Sequence, residues 1–249
     1  MHQPVRCVAS GARRRTPSLS GGVMPTVRTL RSLLAVGVLA VGLAVVPAPA
    51  HAQTVVLCSE AALVNAITAA NAAGGDTLAL FPFCTYRITG AHATSPMGPV
   101  GLPPLTTPIR MTGLGNIIER APGAPPFRVL QVEGSANVPG THGQLDAVGI
   151  TVRGGSAVFP YPGGGISNLG GTVSLSLSSV TGNNAVAGGG LYNDNGVITL
   201  NSSSVTGNTA AFGGGGIYVN SGSVLLPGTN VSGNTPDNCA PSGSVTGCS

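Results

Sequence analysis

The chain has 249 residues, enough for one or two domains, with 42% apolar residues and only 7% charged ones. Its 39 glycines and 20 prolines put it at the level of low-complexity chains unless a period organises them. The formal net charge of +4 rests on eleven arginines, six of which lie before residue 32, so it does not describe the body of the protein.

From Met24 the sequence reads MPTVRTLRSLLAVGVLAVGLAVVPAPAHAQ, with two arginines, an apolar run and an Ala50-His51-Ala52 end. These are the n-region, h-region and cleavage site of a secretory signal peptide. The apolar run covers residues 33–46, shorter than the roughly 20 residues that span a bilayer. Residues 1–23 form either an over-long n-region or a stretch ahead of a true start at Met24. Cleavage after Ala52 leaves five arginines against seven acids, a net charge near −2. That balance excludes the basic footprint of nucleic-acid binding and a polybasic membrane patch. No integral membrane anchor is expected in the mature chain, taken as one domain over residues 53–249.

Four cysteines follow the cleavage site: Cys58, Cys84, Cys239 and Cys248. An even number in an exported chain points to disulfides. Three pairings are possible, and proximity favours Cys58–Cys84 with Cys239–Cys248. His92 and His142 stand at no ligand-like spacing, so neither a metal nor a cofactor is expected.

Residues 59–73 (SEAALVNAITAANAA) predict the one helix. Ser59 suits the N-cap, Glu60 the positive end of the dipole, and Gly74-Gly75 the stop. Leu63, Ala66, Ile67 and Ala70 share a face. So short a helix ahead of repeating strands reads as a lid over the first rung. Residues 76–83 alternate as a strand with Leu78 and Leu80 inward. Residues 90–108, rich in proline and without a period, read as a projecting loop. Short strand-like runs at 109–112, 116–120, 127–133 and 144–153 belong to irregular rungs over 109–162.

Residues 163–238 then say nearly the same thing three times. Ile166, Leu191 and Ile217 align, as do Val173, Ile198 and Val224, and Leu175, Leu200 and Leu226. Val180, Val205 and Val231 align too, followed by Asn183, Asn208 and Asn234. Each series steps by 25 and then 26 residues, the mark of a solenoid. Within a repeat the apolar residues alternate, as at Val173, Leu175 and Leu177, which is strand patterning. Stacked rungs place like on like at about 4.8 Å, with glycine and asparagine at the turns. The expected fold is all-β: a right-handed parallel β-helix with a short N-terminal capping helix and a closure over 239–249.

The repeating GGGI…GGGL…GGGI with T/S-G-N turns resembles the right-handed β-helix repeats of the pectate-lyase-like superfamily. It is also similar to the GG-[AILV] repeats of polymorphic outer-membrane proteins. The stretch around LVNAITAANAAGGDTLAL looks like the N-terminal cap and first coil of exported bacterial proteins of that group, and NTPDNCAPSGSVTGCS resembles their closure. That fold hosts lyases, hydrolases, adhesins and structural proteins, so the resemblance implies architecture rather than activity. The N-T-D, D-D, G-H-G and R-I-K type motifs of the superfamily's hydrolases are absent, and Thr141-His142-Gly143 is only a partial match. No catalytic residue is therefore assigned.

Two pairs remain as candidate binding residues. Asp146 and Arg153 are the nearest thing to a functional charge pair on the body. Tyr192 and Tyr218 follow the inward Leu191 and Ile217, so they should point outward and stack as a platform for sugar rings. Glu119 and Arg120, adjacent on a strand, face opposite sides and cannot act together. Asp194 and Asp237 fit turn chemistry. The expected function is that of a secreted, non-enzymatic protein acting at or outside the cell surface. Its role is binding, to polysaccharide or a surface component, or structural. The alternative is a degenerate polysaccharide lyase or glycoside hydrolase built around residues 90–108 and Asp146/Arg153.

Overall fold

The structure, a computed structural model, describes residues 53–248. The expected signal peptide lies outside the described residues. What is described is mostly β, with long parallel sheets and one helix.

The helix, Glu60–Ala73, is bounded as its caps dictate. The Ser59 hydroxyl accepts from the Ala62 amide at 3.1 Å, and Gly74 takes the left-handed conformation at φ 82°. Leu63, Ile67 and Ala70 are buried against the first strands, while Ala66 is half-buried at the edge of that contact. Cys58, just ahead of the helix, is joined to Cys84 with Cα atoms 5.5 Å apart, and Cys239 is joined to Cys248. The second bridge closes a loop that inserts Val245 into the core.

The main sheet runs through Thr54–Val56, Asp76–Leu80, Pro108–Arg120, Gln144–Arg153, Thr172–Ser176, Gly196–Asn201 and Gly222–Leu225, all parallel. It begins one strand earlier than the alternation at residue 76 suggests. The runs at 109–112 and 116–120 form one thirteen-residue strand with a register shift between Thr112 and Asn116. The strand Gln144–Arg153 carries the repeat backward, with Leu145 beside Val173 and Val152 beside Val180. A second limb pairs Ser179–Thr181, Ser204–Thr206 and Asn230–Ser232. A separate stack joins Leu130–Glu133, Ile166–Leu169, Leu191–Asp194, Ile217–Val219 and Cys239–Ala240.

Parallel register turns the sequence repeats into columns. Ile109, Leu145, Val173, Ile198 and Val224 are successive partners, and Leu130, Ile166, Leu191 and Ile217 form another column. All are buried. Leu175 lies beside Leu200, but the next strand ends at Leu225, and Leu226 is only partly buried. At the turns Gly182, Gly207 and Gly233 all take φ 63°, which leaves the following asparagines free to point inward. Asn183, Asn208 and Asn234 hydrogen-bond amide to amide at 2.9 and 3.0 Å. A second asparagine contact, Asn168 to Asn193 at 2.9 Å, was not anticipated.

Residues 90–108 do not project. Ala93–Ser95 and Gly98–Val100 form a hairpin, the one antiparallel pair of strands among the described residues. At its end and beyond it, Val100, Leu102 and Leu105 are fully buried, and the amides of Gly101, Leu102 and Leu105 donate to the carbonyls of Arg128, Val129 and Gln131. The V-x-L-x-x-L apolar spacing wins over the prolines, which fall between the inward positions.

Candidate functional site

The outward face of the Leu130–Glu133 stack carries two rows of side chains, because residues two apart on a strand share a face. Gln131, Ser167, Tyr192 and Tyr218 occupy the first row in register. Glu133, Leu169 and Asp194 occupy the second. Along one flank runs the 93–100 hairpin, and along the other the turn at 134–143. Between them lies a cleft of about 440 Å³, lined by Pro96, Met97, Gln131, Glu133, Asn137 and Asp194 among others.

The tyrosines meet as expected, with ring centroids 5.8 Å apart and planes at 15°. Their exposure is not as expected. Tyr192 is buried at 8%, and only Tyr218 is half-exposed. The backbone of Gly163 lies over this row, so close that a Cβ there would stand 3.1 Å from the Tyr192 Cβ. Burial first, then the charges of Asp194 and Tyr218, push the Tyr192 phenol up to about 12. It stays neutral at any physiological pH, and Tyr218 is the more accessible ring of the stack.

The polar groups of the cleft are pre-set. Asp194 Oδ2 accepts from the Asn137 amide at 2.8 Å, and its Oδ1 accepts from Asn220 and the Ser221 hydroxyl, also at 2.8 Å. Glu133 accepts from Gln131 at 2.5 Å, and Gln131 accepts from the Ser95 hydroxyl at 3.1 Å, tying the hairpin to the floor. Carboxylates and amides held in fixed positions along one cleft can recognise hydroxyl-rich ligands from several directions.

Asp146 and Arg153 do not form a pair. Asp146 meets Arg110, its register partner, at 3.1 Å, and both side chains are about half exposed. Arg153 meets Glu119 at 2.6 Å, and Glu119 also takes Arg87 at 2.9 Å. Parallel register decides this: Arg87, Glu119 and Arg153 are successive partners, whereas Asp146 and Arg153 lie seven residues apart on one strand. Arg120 turns the other way, to the Gly154 and Ala124 carbonyls. Asp146 and Arg110 also border a second cleft of about 440 Å³ at the C-terminal end of the helix, with Asp76 and Gly75. Asp76 there is held by Thr54 and its neighbour's amide. Asp237 accepts from the Gly214 amide at 2.6 Å, a turn contact.

Register also explains why Gln131, Glu133 and Asn137 escaped the sequence reading. Extending the Ile166–Leu191–Ile217 column back to Leu130 would have aligned Gln131 with Tyr192 and Glu133 with Asp194. The step from Leu130 to Ile166 is 36 residues, so the repeat does not carry across it.

Among the described residues no three His, Cys, Asp or Glu side chains come together as a metal site. None of their helices is long and apolar enough to cross a membrane. No protein-family model, no curated protein and no solved structure matches the chain.

Proposed function

We propose that this chain is a secreted right-handed parallel β-helix protein of the pectate-lyase-like kind that binds carbohydrate outside the cell. The observation that carries this reading is the cleft between the hairpin and the 134–143 turn, with its fixed Gln131, Glu133, Asn137 and Asp194, on a face where Tyr192 and Tyr218 continue the Gln131 row in register. Two disulfides suit an oxidising compartment, and the parallel columns with 25–26-residue steps suit a β-helix. The other face carries ion pairs and hydroxyls already engaged with one another. A β-helix holds such a cleft rigid, which lowers the ordering cost of binding.

A glycan array probed with the mature chain should give hits that weaken at least about tenfold in Tyr218→Ala and in Asp194→Ala, a loss typical of one good contact. Tyr218 is the better probe of the platform, since Tyr192→Ala would open a core cavity. A second reading, a carbohydrate-active enzyme, draws on Glu133 and Asp194 sharing one cleft, as acid and base do in hydrolases. Release of reducing ends or unsaturated uronides by the wild type, lost in Glu133→Gln, would establish that reading and displace the binding one.

A further inference from the structure

Arg128 is the largest fully buried side chain of the described residues, and it has no carboxylate partner. A guanidinium has five N–H donors. Here only Nη2 finds an acceptor, the Met97 carbonyl at the hairpin tip, and both Nε and Nη1 are unpartnered. Ser167, the register neighbour of Tyr192, is also fully buried, with an unpartnered hydroxyl. The two share Tyr192 as a neighbour: Ser167 pairs with it in register, and it acts electrostatically on Arg128, which also bonds the hairpin tip. Burial lowers the Arg128 pKa to about 10, with the nearby Tyr192 and Tyr161 opposing that shift, so the side chain is still charged at neutral pH.

Holding an unpaired charge in the interior is costly, and an apolar side chain of similar volume would avoid the cost. An unpartnered guanidinium and an unpartnered hydroxyl that share Tyr192 as a neighbour are what an oxyanion site requires. The second strand of the 93–100 hairpin is bonded to the chain at Arg128, whose amide donates to the Pro99 carbonyl at 3.2 Å. The hairpin is a two-stranded sheet of its own, and its tip is tied down by the Arg128–Met97 and Ser95–Gln131 contacts. Met97 and Gln131 also line the cleft, so the carbonyl that Arg128 bonds belongs to a residue of the cleft wall. Glu133 and Asp194 line the same cleft, but each spends oxygens on amide donors, and Arg128 lies at the hairpin end.

We propose that Arg128 and Ser167 form a buried oxyanion site roofed by the 93–100 hairpin, which a carboxylate or sulfate group enters from the cleft by displacing the Met97 carbonyl. The group takes the guanidinium's free donors and the Ser167 hydroxyl, and only the hairpin tip around Met97 moves to admit it. This site is independent of whether the cleft takes a sugar.

The test is the melting temperature of the mature chain in acetate, in sulfate and in chloride at matched ionic strength, for wild type, Arg128→Met and Ser167→Ala. The expected result is a saturating rise of about 2–4 °C for wild type in one or both oxyanions, absent in Arg128→Met and weakened in Ser167→Ala. Which oxyanion acts identifies the group. Sulfate strengthens burial generally, so the response that counts is the difference between wild type and variant. Equal melting in oxyanion and chloride, or a response that survives intact in Arg128→Met, overturns the proposal. Should Arg128→Met fail to fold, an unchanged response in Ser167→Ala overturns it.

Discussion

Asn208 sits in the middle of a buried amide column. Its Oδ1 accepts from the Asn183 backbone amide at 3.0 Å and from the Asn183 side chain, and its Nδ2 donates to the Val180 carbonyl and to Asn234. Asn208→Ala would strand a buried amide and a carbonyl at once. A denaturant titration should therefore show a loss of about 1–3 kcal/mol. Asn234, at the more open end, should cost less. Glu60 offers a test of a different kind. Burial raises its pKa, but hydrogen bonds from His92 and Thr89 outweigh burial and bring it below the ordinary 4.5. A carboxylate with a lowered folded pKa stabilises above its unfolded value and loses that contribution as pH falls through the folded one. Between about pH 6 and about pH 3, wild type should lose more stability than Glu60→Gln, most of the difference arising below about pH 5. Equal acid sensitivity of the two proteins would show that these contacts do not hold Glu60 ionised.

At the scale of the element, the columns explain where the sequence was legible. From residue 163 to 238 the step never strays from 25 or 26, so the apolar columns and asparagine turns can be aligned by eye. The helix was equally plain, because Ser59 and Gly74 are local signals that need no partner. Residues 90–108 were not plain, since prolines and glycines hid an inward Val100, Leu102 and Leu105. The charges were misread for a related reason. Asp146 and Arg153 are close in sequence, but across parallel strands a charge meets its register partner, and that partner is Arg110 or Glu119. The columns also make unequal demands along their length. Leu200 is fully buried, with Leu175 as its register partner, whereas Leu226 follows the end of its strand and is partly open. Leu200→Ala should cost about 2–5 kcal/mol and Leu226→Ala clearly less. Similar losses would mean the last rung packs as tightly as the interior.

Across the whole molecule, stacking consumes most side chains and divides the candidate site between the regular repeats and irregular segments. The regular repeats provide Tyr192, Tyr218 and Asp194; Gln131 and Glu133 come from the irregular rung before them. The walls come from the 93–100 hairpin and the 134–143 turn, neither of which repeats. The site is thus a graft of irregular segments on a regular face, and its two row columns could not be seen until register was known. Calorimetric titration of the strongest array ligand into wild type, Tyr218→Ala and Arg153→Ala tests this account most directly. Binding that weakens at least about tenfold in Tyr218→Ala and is unchanged in Arg153→Ala, on the other face, is the predicted result. Full-strength binding to Tyr218→Ala, or loss in Arg153→Ala, would contradict it and move the site to the charge ladder of Arg87, Glu119 and Arg153.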